Sequence, residues 1–167
     1  KLLGYCYDLL ARRRYSIREM VTRLEARNHK SSDPCSEDEL RQILEGLLKA
    51  NLLNDRDYAS FYLESQLRRK PVGPMKIKMQ LRHRGIDEDI IKQVINAAQL
   101  DALQLARDLL GKKTRLYTAA QLRDRKVQAR LLRLLAANGF AAATAGRALR
   151  ETLIPFPSDA EEDCQSP

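Results

Sequence analysis

The sequence contains no tryptophan, and aromatic residues make up only 5% of its 167 residues. A β-sandwich or β-barrel of this length would use more aromatic and β-branched residues, whereas this chain is rich in leucine and alanine. Hydrophobic residues still reach 44%, which is too high for a disordered chain even though 31% of the residues are charged. The composition therefore predicts an all-α protein, built as one compact domain or as a short row of small repeats.

Residues that bind metals or form disulfides are also scarce. The three cysteines, Cys6, Cys35 and Cys164, are widely spaced without a CxxC pair, and the chain has only two histidines. This usage predicts a reducing compartment, no disulfide framework, no metal site and no cofactor. No apolar run approaches the roughly 20 residues that cross a bilayer. We therefore expect a cytoplasmic protein that has no membrane partner.

The motifs of the common enzyme classes are absent as well. The chain has no P-loop, no dinucleotide-binding glycine motif, no nucleophile elbow and no HExxH pair. Its two acidic clusters, residues 37–39 and 87–89, fall where helices are predicted to begin. Carboxylates in the first turn are explained by the positive end of the helix dipole. We therefore expect a protein that is not an enzyme.

An internal repeat is the strongest signal in the sequence. Residues 10–28 and 67–85 match at a constant offset of 57, each with an apolar helix, a basic corner and a second helix. A third copy follows at an offset of 54, in which Gly139 takes the place of Gly85. Capping boxes that begin at Ser16, Ser36 and Thr118 mark helix starts. Together with the apolar periodicity, these signals predict nine helices, at residues 2–13, 16–28, 37–50, 55–69, 74–84, 87–98, 101–112, 119–138 and 141–152.

The nine predicted helices group into three tandem three-helix repeats, which cover residues 1–53, 54–99 and 100–154. Bundles this small bury their apolar faces only by packing in series, so we expect an elongated, curved array that contacts partners along its length. Residues 155–167 hold four acidic residues and no lysine or arginine, which predicts a disordered acidic tail. The tail is either a solvated end or a competitor for an anionic partner of the basic body.

Basic residues are in excess and clustered. The chain carries 30 lysines and arginines against 22 acidic residues, a formal charge of +8. Residues 65–86 contain no acid, residues 112–133 contain only Asp124, and residues 12–14 are three arginines. One such patch is explained by solubility, but three patches at corresponding places in repeats favour a polyanionic partner. A nucleic acid, or an acidic protein groove beside one, would meet that requirement.

Residues 54–59, Asn-Asp-Arg-Asp-Tyr-Ala, followed by residues 73–86, Gly-Pro-Met-Lys-Ile-Lys-Met-Gln-Leu-Arg-His-Arg-Gly-Ile, resemble the signature of the bacterial RecX family. The flanking copies, at residues 10–19 and 126–140, agree with it, and the resemblance spans about residues 5–152. It implies three tandem three-helix repeats and a role in homologous recombination, DNA repair and the SOS response. In that role the protein lies in the helical groove of the RecA–single-stranded DNA filament. There it limits filament extension and mainly suppresses strand exchange, ATP hydrolysis and co-protease activity.

Two groups of residues are singled out on this basis. The predicted contacts with the RecA filament or with single-stranded DNA are Arg12, Arg13, Arg68, Arg69, Lys70, Lys76, Lys78, Arg82, Arg84, Lys126 and Arg130. The matched positions with predicted structural roles are Asp55, Tyr58, Gly73, Pro74, Ile77, Leu81 and Gly85. We expect the protein to act as a monomer.

Two other function classes stay open at this point. The chain could be a nucleic-acid-binding module that acts directly on DNA, with residues 74–84 as a recognition helix. Against specific readout, the exposed face of that helix offers lysine and arginine rather than the asparagine and glutamine typical of base contacts. An enzyme is the least favoured class, because no catalytic set was found.

Overall fold

A computed structural model describes residues 1–153 of the chain, and this part is helical throughout, with no strand among the described residues. The all-α prediction is confirmed. The helices are α1 (Leu2–Arg12), α2 (Ile17–Asn28), α3 (Glu37–Lys49), α4 (Asp55–Arg69), α5 (Pro74–His83), α6 (Glu88–Ala97), α7 (Ala102–Thr114), α8 (Ala119–Arg123), α9 (Arg125–Ala137) and α10 (Ala142–Leu153). The predicted acidic tail, residues 155–167, lies outside the described residues.

The described helices belong to two compact units. Unit 1 consists of Lys1–Arg69 and Ile77–Leu100, and unit 2 consists of Lys70–Lys76 and the residues from Asp101 onward. In unit 1, the first three helices enclose a core that includes Met20, Leu24 and Leu47. The α5 residues Ile77 and Leu81 are fully buried, and α4 packs against α6.

Unit 2 has its own apolar core, to which α7, α9 and α10 contribute most. Its buried residues include Leu110 of α7, Leu135 of α9 and Ala148 of α10, each 0% exposed. Leu122 from the short helix α8 completes one side of the core. The spacing of these residues follows the helical period, so each helix turns one apolar stripe inward.

The predicted capping boxes are confirmed at all three sites. The hydroxyls of Ser16, Ser36 and Thr118 accept hydrogen bonds from the backbone N–H three residues later, at 3.2 to 3.3 Å. In each case the Glu or Gln at that third position accepts a hydrogen bond from the backbone N–H of the capping residue. These bonds satisfy donors that a helix N-terminus leaves without partners, and they fix where α2, α3 and α8 begin.

One predicted helix, at residues 119–138, is wrong. The structure divides it into α8 and α9 at Asp124, whose backbone is extended, with φ −67° and ψ 126°. The Asp124 carboxylate accepts a hydrogen bond from the Lys126 N–H at 2.7 Å, so it caps a new helix instead of continuing the old one. An aspartate favours this arrangement because its short side chain competes with the helical backbone for hydrogen bonds.

Glycines end two of the helices in a conformation that other residues rarely adopt. Gly85 follows α5 with φ +80°, and Gly139 follows α9 with φ +83°. A side chain at Gly85 would also collide with the Arg18 side chain, and one at Gly139 would collide with the Lys76 backbone. Both glycines are therefore required by backbone conformation and by close packing.

Candidate interaction surface

The basic residues at the end of α4 are exposed. Arg68 forms a solvent-exposed ion pair with Glu64, at 3.3 Å between Nη2 and Oε2. Arg69 and Lys70 are exposed and form no ion pair with any described residue. An exposed pair one helical turn apart contributes little to stability, so all three cations remain available to an anionic partner.

The basic residues of α5 are more engaged than their sequence suggests. Glu88, in the first turn of α6, forms ion pairs with both Lys78 and Arg82, the latter at 2.6 Å. Hydrogen bonds from Arg82 and Lys78 lower the pKa of Glu88 to about 2. In unit 2, Lys76 donates from Nζ to the Ala137 carbonyl at 3.2 Å, near the end of α9. Glu88 therefore partly neutralises Lys78 and Arg82, which we call the α5 patch.

Arg84 has a different environment from the other predicted contact residues. Its side chain is only one-third exposed, and Nη1 donates to Glu19 Oε1 at 2.6 Å and to the Tyr58 hydroxyl at 2.8 Å. Its guanidinium also lies over the Tyr62 ring, 4.8 Å from the centroid. The Arg84 carbonyl accepts a hydrogen bond from Ser16 Oγ at 2.8 Å. Arg84 thus joins α2 to α4 and α5 inside unit 1.

A second hydrogen bond joins the same helices. The Asp55 carboxylate, at the start of α4, accepts from the Ile17 backbone N–H at 2.9 Å. Burial raises the pKa of Asp55, the hydrogen bond from Ile17 opposes that rise, and nearby Glu19 adds to it. Burial also raises the pKa of the Tyr58 hydroxyl, and the charge of Glu19 raises it further. These groups hold the first turn of α2 against α4.

The remaining predicted contact residues of unit 1 lie at the end of α1. Arg12 is exposed, and it forms no ion pair with a described residue. Arg13 pairs with Glu19 at 3.2 Å, and its guanidinium lies over the Tyr15 ring at 3.7 Å from the centroid. Glu19 therefore pairs with two of the predicted contact residues, Arg13 and Arg84, and its single negative charge offsets one of their two positive charges.

Two further predicted contact residues of unit 2, Lys126 and Arg130, lie on α9. Lys126 and Arg130 are exposed one turn apart, and Arg133 extends the row at i+7. This spacing puts all three on one helix face, turned away from the buried Leu131 and Leu135. No carboxylate among residues 1–153 pairs with any of them. We call these three residues the α9 basic stripe.

Gly73 and Pro74, two of the matched positions with predicted structural roles, lie at the start of α5. Gly73 is buried, and its N–H donates to the Asn138 carbonyl at 2.8 Å within unit 2. A side chain at Gly73 would collide with the backbone of Gly139. Pro74 is the first residue of α5, where its missing N–H costs no helical hydrogen bond.

A groove in unit 1 contains residues that the sequence did not single out. It has a volume of about 1020 Å³, and its lining includes Arg18, Thr22, Arg23, Tyr62, Met79 and His83. The small side chains of Thr22 and Ala26 line it on α2, at i+4 and i+8 from Arg18. The sequence shows this helical spacing, which places the residues on one face of α2, but it does not show what that face contacts. We call this groove, which is lined by residues of α2, α4 and α5, the junction groove.

Among residues 1–153, no group of three or more His, Cys, Asp and Glu side chains is placed to hold a metal ion. Within the same range, no helix is both long enough and apolar enough to span a bilayer. The candidate sites in this range are therefore the exposed basic surfaces and the grooves.

Comparisons with known proteins point to one family. A family model described as RecX, second three-helix domain, matches residues 54–95. The regulatory protein RecX of Halorhodospira halophila is 32% identical over 134 residues, which cover 80% of this chain and 77% of that protein. The regulatory protein RecX of Haemophilus influenzae is 29% identical over 138 residues, covering 82% and 85%.

Solved structures agree on the fold. The crystal structure of RecX from Lactobacillus salivarius has a TM-score of 0.77 and covers 92% of this chain and 95% of that chain. A second crystal structure, of a regulatory protein RecX, has a TM-score of 0.70 and covers 93% and 70%. Both are 21% identical in sequence to this chain, so they support the all-helical fold and not the individual contacts.

Proposed function

Because the chain belongs to the RecX family, we propose that it regulates the RecA recombinase by binding the RecA–single-stranded DNA filament. Binding mainly inhibits strand exchange, ATP hydrolysis and co-protease activity. The protein acts by occupying the filament rather than by catalysis, in keeping with relatives that are called regulatory proteins. It works as a monomer, within the cell compartment that contains RecA.

The observation that carries the nucleic-acid part of this proposal is the α9 basic stripe. Lys126, Arg130 and Arg133 project from one face with no described carboxylate to neutralise them. Three unpaired cations at helical spacing attract the phosphates of a nucleic acid strand, and each phosphate contact releases counterions. Arg69 and Lys70 provide two further unpaired cations at the end of α4.

Reversing the α9 basic stripe tests the proposal. A variant with Lys126→Glu, Arg130→Glu and Arg133→Glu is expected to bind RecA-coated single-stranded DNA on the order of tenfold more weakly at low salt. The slope of log affinity against log salt is expected to fall by up to about 2, from about 0.7 per phosphate contact on a single strand. Fluorescence anisotropy over a salt series measures both quantities, and a strand-exchange assay measures inhibition.

The matched control reverses three exposed basic residues elsewhere, with Lys30→Glu, Arg41→Glu and Lys49→Glu. It changes the net charge equally, so equal weakening in the two variants would show that only total charge matters. If the wild-type chain binds bare single-stranded DNA as tightly as the coated filament, the protein acts directly on DNA instead. Circular dichroism confirms that both variants keep their helices.

A second test concerns the α5 patch. Glu88→Gln removes the carboxylate that pairs with Lys78 and Arg82, and it is expected to strengthen binding to the filament by about twofold to fivefold. The physical reason is that two cations engaged within the protein become available to the partner. The measurement is the same anisotropy titration at low salt. Unchanged or weaker binding would show that Lys78 and Arg82 do not face the partner.

The control for the α5 patch changes a carboxylate that pairs elsewhere. Glu64→Gln releases Arg68 from its exposed ion pair at the end of α4. Comparing the two variants separates the contribution of α5 from that of the α4 end. All three ion pairs lie at the protein surface rather than in the apolar core, so neither change is expected to alter the helical content.

A further inference from the structure

The junction groove combines unpaired cations with apolar surface. Arg18 and Arg23 line it without an ion-pair partner among the described residues. Glu19 is the one acidic residue of its lining, and both Arg13 and Arg84 already pair with it. The groove therefore keeps a net positive charge for an external ligand.

The apolar part of the groove comes from α5 and α2. Met79 is 61% exposed on α5, and Ala26 lines the α2 wall. A thioether side chain is flexible and polarizable, so it adapts to apolar groups of different shapes. A ligand that fills this groove should therefore present acidic and apolar groups together.

The aromatic rings near the groove already have cationic partners. Arg84 lies over the Tyr62 ring, and Tyr58 stacks with that ring at a centroid distance of 6.4 Å. The Tyr15 ring has Arg13 at 3.7 Å and Arg23 at 5.5 Å from its centroid. Proteins that bind single strands use open aromatic faces on which bases stack. These occupied rings favour a protein ligand over a nucleic acid at this groove.

We propose that the junction groove binds an acidic, partly apolar surface element of a RecA protomer, whereas the α9 basic stripe contacts the DNA. This inference rests on the proposed function and deepens it, because it assigns protein recognition and nucleic-acid recognition to different surfaces. Arg18 and Arg23 pair with carboxylates of the protomer, since a guanidinium forms short, two-pronged hydrogen bonds with a carboxylate. Met79 packs against its apolar groups.

The test compares two ligands for each variant. The ligands are bare single-stranded DNA and the same DNA coated with RecA in the presence of a non-hydrolysable ATP analogue. Arg18→Glu with Arg23→Glu is expected to weaken binding to the coated DNA by about tenfold, because it places like charges against the acidic partner. Binding to bare DNA is expected to change by less than about twofold, because the α9 basic stripe is intact.

A steric variant provides a second test of the groove if the charge variant does not fold. Ala26→Trp fills the groove from its exposed α2 wall without changing a charge, and it is expected to show the same selective loss. Lys30→Glu with Arg41→Glu is the matched control for total charge, and it is expected to bind both ligands like the wild type. Binding is compared only among variants whose urea midpoint of unfolding stays near the wild-type value.

The outcomes separate this inference from the proposed function. If the wild-type chain does not bind coated DNA, the proposed function fails. If the wild-type chain binds and the groove variants bind equally well, the junction groove is not a contact and only this inference fails. Equal weakening on coated and bare DNA would overturn it too, because it would make the groove a nucleic-acid site.

Discussion

Leu81→Asp is expected to unfold unit 1. Leu81 is 0% exposed within the α5 face that also buries Ile77. The change removes a leucine from a packed core and puts a carboxyl group there without a partner. The lost packing and the buried polar group together cost about 5 kcal/mol or more, which is comparable to the whole stability of many domains. A urea titration followed by far-UV circular dichroism measures the loss.

A change to aspartate two residues away provides the control. Met79→Asp adds a carboxylate to the same helix at a position that is 61% exposed, and it is expected to change stability by only about 0.5 kcal/mol. Leu81→Met keeps the volume and is expected to cost less than about 1.5 kcal/mol. If Leu81→Asp unfolded at the same urea concentration as Met79→Asp, the face of α5 that contains Ile77 and Leu81 would not be buried.

Much of the fold follows from local signals that the sequence displays directly. The capping box at Ser16 and the left-handed turn at Gly85 are properties of a few neighbouring residues, so they identify helix ends without knowledge of the tertiary structure. The repeat offset of 54 also aligns Leu135 with Leu81, and both residues are 0% exposed. Asp124 shows the limit of such signals, because a capping residue inside an apolar pattern can either stay in the helix or start another.

The candidate surface was less predictable, because it depends on partners far apart in sequence. Arg82 lies in the last turn of α5 and Arg84 directly follows that helix, and the charge pattern of the sequence predicted both as contact residues. The structure pairs Arg82 with Glu88 on the exterior and Arg84 with Glu19, 65 residues earlier in the chain. A charge pattern shows which residues are cationic, but only the tertiary contacts show which cations are already engaged.

Arg84→Met is expected to destabilise unit 1 by about 2 kcal/mol, because it removes hydrogen bonds to Glu19 and Tyr58 from a half-buried position. Methionine keeps an unbranched apolar side chain but removes the guanidinium that lies over the Tyr62 ring, so the measured loss includes this cation–π contact as well as the two hydrogen bonds. The Ser16 hydrogen bond is kept, since it uses the Arg84 backbone carbonyl. Urea unfolding measures the change.

A double-mutant cycle isolates the ion pair itself. Glu19→Gln removes the charge but preserves the capping box with Ser16, because glutamine also accepts the capping hydrogen bond. The coupling energy between Arg84→Met and Glu19→Gln is expected to be about 1–2 kcal/mol. Arg82→Met breaks a more exposed ion pair in the last turn of α5, and its urea midpoint is expected to stay near that of the wild type. A coupling energy near zero would show that Arg84 does not hold α2 against α5, and Arg84 would return to the set of residues that are free to bind the filament.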